Sequence, residues 1–82
     1  MSTKTTIYVS DVVNAFIANL PNLQRGQVYT LEQLVGSKFW HSIPKGQVNK
    51  LGAEFKREVK LGWVAVDWVG RGSDNIQQYQ LK

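Results

Sequence analysis

Apolar residues along this chain change their spacing as they go, and each change marks a new element. Val13, Phe16, Ile17 and Leu20 recur at helical intervals, which predicts a first helix capped by Ser10, complemented at its positive end by Asp11 and ended by Pro21. Asn22 to Gln27 reads as a loop punctuated by Gly26, and Gln27-Val28-Tyr29 as a short extended segment. Thr30 and Gln33 have capping-box spacing, and Tyr29 and Leu34 occupy the positions of a hydrophobic staple. A second helix therefore starts here, with Leu31, Leu34 and Val35 as its apolar stripe. Gly36 breaks or caps it, and Lys38 to His41 add a further helical turn after Ser37.

Pro44 biases Ile43 toward an extended conformation and is tolerated in a first helical turn, so SIPKG is a turn into a third helix. From Gln47 to Leu61 the pattern is helical, with Val48, Leu51, Gly52, Phe55 and Val59 toward the core and Gly62 as the stop. Beyond it the period becomes two: Val64, Val66 and Trp68 point one way, Trp63, Ala65 and Asp67 the other. GRGSDN supplies a turn, and Gln77, Tyr79 and Leu81 alternate after it, which predicts a hairpin. The order is that of an α+β winged helix-turn-helix: three helices plus a small antiparallel sheet whose C-terminal hairpin forms the wing and pairs with the short first strand. One such domain is expected over residues 1–82, with residues 1–9 as a flexible N-terminal segment.

Composition narrows the chemistry. Hydrophobic residues at 43% and charged residues at 20% suit a chain that folds on its own. The absence of cysteine removes disulfides and thiolate metal sites. MSTKTTIYVSDVV lacks a continuous apolar run with a cleavage site, and no stretch approaches the roughly 20 apolar residues of a membrane span, so a cytoplasmic protein is expected. His41 is the only histidine, no carboxylate pair stands in a suitable context, and the GxG of GRGSDN has no helix after it. No enzymatic activity, cofactor or metal is expected.

Charge adds a direction. Ten Lys and Arg against six Asp and Glu give a net charge of +4, the sign expected of a nucleic-acid binder and shared by many mildly basic small proteins. At about 100° per residue, the third helix gathers Asn49, Lys50, Lys56, Arg57 and Lys60 on its outer side and Gln47, Glu54 and Glu58 on one flank. Lys45, Gln47, Asn49 and Lys50, near its start, are candidates for reading base edges in the major groove, with Lys50 suited to guanine and Gln47 or Asn49 to adenine. Lys56, Arg57 and Lys60 are candidates for phosphate contacts. At the wing, residues 70–75, Arg71 is a further candidate for phosphate or minor groove, with Ser73 and Asn75 as hydrogen-bonding neighbours and Asp74 opposing them in charge. Against this stands a simply solvated face whose lysines pair with nearby glutamates. Trp40 and Trp68 are expected in the core, and Trp63 partly exposed.

The stretch YTLEQLVGSKFWHSIPKGQVNKLGAEFKREVKLG, followed by the turn and Tyr79, resembles a family of short bacterial and phage-borne domains of unknown function. Leu34, the Trp40 before the proline turn, and the LGxxF core of Leu51, Gly52 and Phe55 carry the resemblance, which leaves Ser10 to Leu20 as an extension. It implies a winged-helix-like fold and an origin near mobile elements. Two function classes stand at this point. One is a regulator that binds double-stranded DNA, with the first helix as the place for a homodimer contact; the other is a module that docks on a protein partner, such as a phage-borne inhibitor.

Overall fold

Among the described residues, 6–72 and 76–82 of a computed structural model, four α-helices and three strands follow one another as α1 (Val9–Asn19), β1 (Val28–Thr30), α2 (Leu31–Val35), α3 (Ser37–His41), α4 (Lys45–Lys60), β2 (Val66–Arg71) and β3 (Gln77–Leu81). The fold is α+β, with the antiparallel sheet ordered β1-β3-β2. The short first strand does pair with the hairpin, Tyr29 lying opposite Tyr79. The helix count exceeds the expected three because Gly36, at φ +92°, separates the added turn Ser37–His41 from α2.

Local chemistry explains the boundaries. At the start of α2 the Thr30 N–H donates to Gln33 Oε1 at 2.9 Å and the Gln33 N–H to Thr30 Oγ1 at 3.3 Å, closing the expected capping box. α4 ends in a Schellman arrangement: Gly62, at φ +87°, donates to the Val59 carbonyl, and Trp63 donates to that of Glu58. The first helix differs from expectation. Ser10 lies inside it, and Tyr8 is the N-cap, its N–H donating to the Asp11 carboxylate at 2.8 Å. The acid three positions along satisfies the orphan donor, so no hydroxyl is needed at the cap.

Val12 and Phe16 are the buried residues of α1, whereas Ile17, expected inside, is 52% exposed. Residues four apart share a face, and turning Val12 and Phe16 inward swings Ile17 about 100° away. Phe16, Phe55 and Tyr79 then stack edge to face, with ring centroids 6.5 Å and 5.2 Å apart, in a column from α1 through α4 to the central strand. Leu31, Leu34, Leu51, Val59, Val64, Val66 and Leu81 close around it, and Trp40 packs partly buried against its edge.

Candidate functional site

α4 is the helix that joins the column of rings to the sheet, so its two flanks meet different parts of the chain. On one flank Gln47 reaches back to the residues before α1. The Ile7 N–H donates to Gln47 Oε1 at 3.3 Å, and Gln47 Nε2 donates to the Ile7 carbonyl at 2.9 Å. Glu54 and Glu58 lie on the same flank, half-buried.

The opposite flank is cationic and aromatic. Lys56 Nζ sits 3.9 Å from the centroid of the Trp68 ring, and Lys60 Nζ 5.3 Å from it. Trp68 Nε1 donates to Gln77 Oε1 at 2.6 Å, which fixes the ring beneath the two ammonium groups. The expected core position of Trp68 is corrected: it is 37% exposed, with the two lysine ammonium groups over its ring. It shares the inner face with Tyr79, directly opposite it on β3, and the α4 residues over it are Lys56 and Lys60. Trp63 is more open, at 74% exposed.

A β-bulge brings a further cation to this flank. Trp68 pairs with Tyr79, Gly70 with Gln78 and Arg71 with Gln77, so an extra residue is inserted between Trp68 and Gly70. Strict alternation would send Arg71 to the outer face. The insertion returns it to the inner side, toward α4. Gly70 takes φ +114° here, a backbone state that side-chain-bearing residues avoid. The consequence is felt at Lys56, whose ammonium is held below its usual pKa, first by partial removal from water and then by the positive charges of Lys60 and Arg71.

Between α4, the start of α2 and the hairpin lies a cleft of about 540 Å³, with Lys56 and Arg71 on its lining. Trp40 and Val48 give it apolar walls, and Tyr79 lies at its floor. The Tyr79 hydroxyl is buried without a hydrogen-bond partner, and burial pushes its pKa up to about 12. Gly52, expected to face the core, opens to this cleft: a Cβ there would meet nothing within 4 Å.

Of the residues singled out from sequence, Lys45, Asn49, Lys50, Arg57 and Lys60 are exposed along α4, and Lys56 is half-buried beside Trp68. Among the described residues none of the α4 cations makes a salt bridge with a carboxylate; the ion pairs present join His41 to Glu32 and Lys82 to Asp67. The pairing with glutamates that a simply solvated face would show is absent among the described residues, and Lys56 and Lys60 contact Trp68 instead. Gln47 is engaged with Ile7. Ser73 and Asn75 lie outside the described residues, as do residues 1–5 of the N-terminal segment. Sequence reasoning missed Trp68 as a member of this surface and the fully buried Tyr79 behind it. Their positions opposite one another, with Lys56 and Lys60 one turn apart, were the available signal.

Among the described residues no helix is long and apolar enough to cross a membrane, and no three His, Asp or Glu side chains come together as a metal site. A family model described as a domain of unknown function (DUF1413) matches residues 14–80, which takes in part of α1 as well as the stretch from Tyr29 onward. No curated protein and no solved structure matches the chain.

Proposed function

For a chain that belongs to the DUF1413 family of domains of unknown function, we propose a DNA-binding role: a winged helix-turn-helix module that lays α4 in the major groove of double-stranded DNA and sets its hairpin on the backbone. The observation that carries the proposal is the cationic flank of α4, where Lys56 and Lys60 lie over Trp68, Arg71 adds its charge at Lys56, and among the described residues neither lysine pairs with a carboxylate. Holding like charges together costs free energy that a polyanion would recover. The sheet order β1-β3-β2, with β1 before α2 and the hairpin after α4, supports the same scaffold.

In this role Lys45, Asn49 and Lys50, exposed on the first half of α4, read base edges. Lys56, Arg57, Lys60 and Arg71 neutralise phosphates, with Ser73 and Asn75 adding hydrogen bonds from the wing tip. Gln47 positions the N-terminal segment instead of reading a base, because its amide is committed to Ile7. Exposed Ile17 on α1 supports a contact between two copies. A regulator carried on a mobile element is the setting this reading proposes.

Four phosphate contacts correspond to a salt slope near −3.6, so affinity for a labelled mixed-sequence duplex should fall about 100-fold between roughly 50 and 200 mM salt. Fluorescence anisotropy of wild type beside a Lys50→Ala, Arg57→Ala variant tests this, the variant binding more weakly with a slope reduced by about one. A folded wild-type protein with no affinity at low salt would end the proposal. It would favour the second role, docking on a protein, for which the exposed Leu61 and Trp63 beyond the end of α4 offer an apolar contact.

A further inference from the structure

The hairpin flank of α4 runs from an apolar end to a charged end with small residues between. Val48, Gly52 and Lys56 are four apart, with Asn49 and Ala53 beside them, so they share one helix face, and all five line the cleft of about 540 Å³. A Cβ on Gly52 would meet nothing within 4 Å, and Asn49 and Ala53 are exposed, so the cleft is open along the middle of this row. At 1.5 Å per residue the row is about 12 Å long, the reach of about four residues of extended chain. A duplex backbone offers phosphate and no apolar side chain, so it uses only the charged end.

The two ends set what fits. Trp40 stands where the chain turns into α4, its carbonyl accepting from the Ile43 N–H at 3.2 Å, and with Val48 it makes the apolar end of the lining. Glu32, also on the lining, lies 3.7 Å from His41, the residue after Trp40, and gives this end a charge that repels acids. At the other end Lys56 and Arg71 of β2 share the lining, and Lys60 is one turn further along α4. Partial removal from water and the charges of Lys60 and Arg71 hold the Lys56 pKa below its usual value, and among the described residues neither lysine pairs with a carboxylate. A carboxylate seated there would relieve the crowding of like charge. We propose that this cleft is a docking groove for an extended acidic segment of a partner protein, which lays an apolar side chain against Trp40 and Val48 and, about three residues along, a carboxylate at Lys56 and Arg71. The groove shares Lys56 and Arg71 with the surface assigned to phosphates, so segment and duplex exclude one another, but docking does not depend on DNA binding.

The test uses the whole protein without DNA, so its outcome is independent of the duplex experiment. A synthetic peptide carrying a leucine and a pair of aspartates separated by two serines, made in both chain directions, is titrated into isotope-labelled protein and followed by two-dimensional NMR. One direction should give saturable shifts at the Trp40 indole N–H and at the backbone amides of Gly52 and Lys56. Replacing the aspartates by asparagines, or the leucine by serine, should each weaken binding about tenfold. Gly52→Leu places a good helix former at an open position, so it should fold and abolish binding. Lys56→Gln should weaken the aspartate peptide about fivefold to tenfold and leave the asparagine peptide unchanged. The proposal is overturned by the absence of a saturable shift in both directions, by equal binding of the aspartate peptide and either control, or by unchanged affinity in whichever of the two variants folds. A mixed-sequence duplex that shifts the Trp40 indole N–H and is excluded by Gly52→Leu would also overturn it, since the groove would then belong to nucleic acid.

Discussion

The two flanks of α4 carry polar side chains of similar size and use them in opposite ways. On the α1 side, Gln47 spends both ends of its amide on the Ile7 backbone. On the hairpin side, Lys56 and Lys60 are held over an aromatic ring and crowded by Arg71. The first flank resolves its polar groups within the chain, and the second leaves charge concentrated and turned outward. Stability and binding are therefore expected to separate by flank, and substitutions can probe that separation.

Tyr79, at the floor of the hairpin-side cleft, gives the largest expected effect. Its pKa rises from 10.0 to about 12 on folding, so the folded state holds the proton more tightly than the unfolded state. The resulting stability is complete below pH 10 and is lost as pH rises toward 12, a decline of about 2 to 3 kcal/mol in denaturant melts. Tyr79→Phe should remove that part of the decline and, by deleting an unsatisfied buried hydroxyl, raise stability at neutral pH by about 1 to 2 kcal/mol. A neutral-pH loss of stability instead would show that the hydroxyl is satisfied in solution.

Gln47→Ala comes next. Losing two hydrogen bonds to Ile7 should cost about 1 to 2 kcal/mol by urea denaturation, with amide exchange at Ile7 and Tyr8 accelerated. Gly70→Ala should cost about 1 kcal/mol, since φ +114° at the bulge disfavours any side chain. Its second effect is diagnostic: Arg71 loses its seat near Lys56, so the Lys56 pKa, followed by NMR, should rise toward its ordinary value. Smallest on stability is Lys60→Ala, within about 0.5 kcal/mol in the same melts. That variant should nevertheless lower the salt slope of duplex binding by about one. If Lys60→Ala and Gln47→Ala cost equal stability, the two flanks do not differ in the way the contacts imply.

What could be read from the sequence follows from how far apart the interacting residues lie. Thr30 and Gln33 recognise each other across three positions, and Leu51, Phe55 and Val59 form their stripe within one helix, so both were legible. The Schellman end at Gly62 was legible for the same reason. The Gln47 amide finds its partner 40 residues away, and nothing near Gln47 announces Ile7. Trp68 looked like a core residue because its parity matched that of Val66; where the core ends depends on the length of α4 laid across the sheet. The cations of α4 were found from the wheel. Their gathering with Arg71 was not, because it depends on the pairing register.

The pairing register also sets the pattern of charge on the sheet. The side of the sheet on which Arg71 stands depends on how many residues separate it from Trp68, and the bulge makes that number odd relative to the partner strand. Pairing Val69 regularly instead of bulging it would leave every residue in place in the chain yet turn the arginine to the opposite surface, whereas deleting Val69 would keep Arg71 opposite Gln77 on the same side. The electrostatic pattern of this face is therefore set by whether the extra residue is bulged or paired, with no change in amino-acid content.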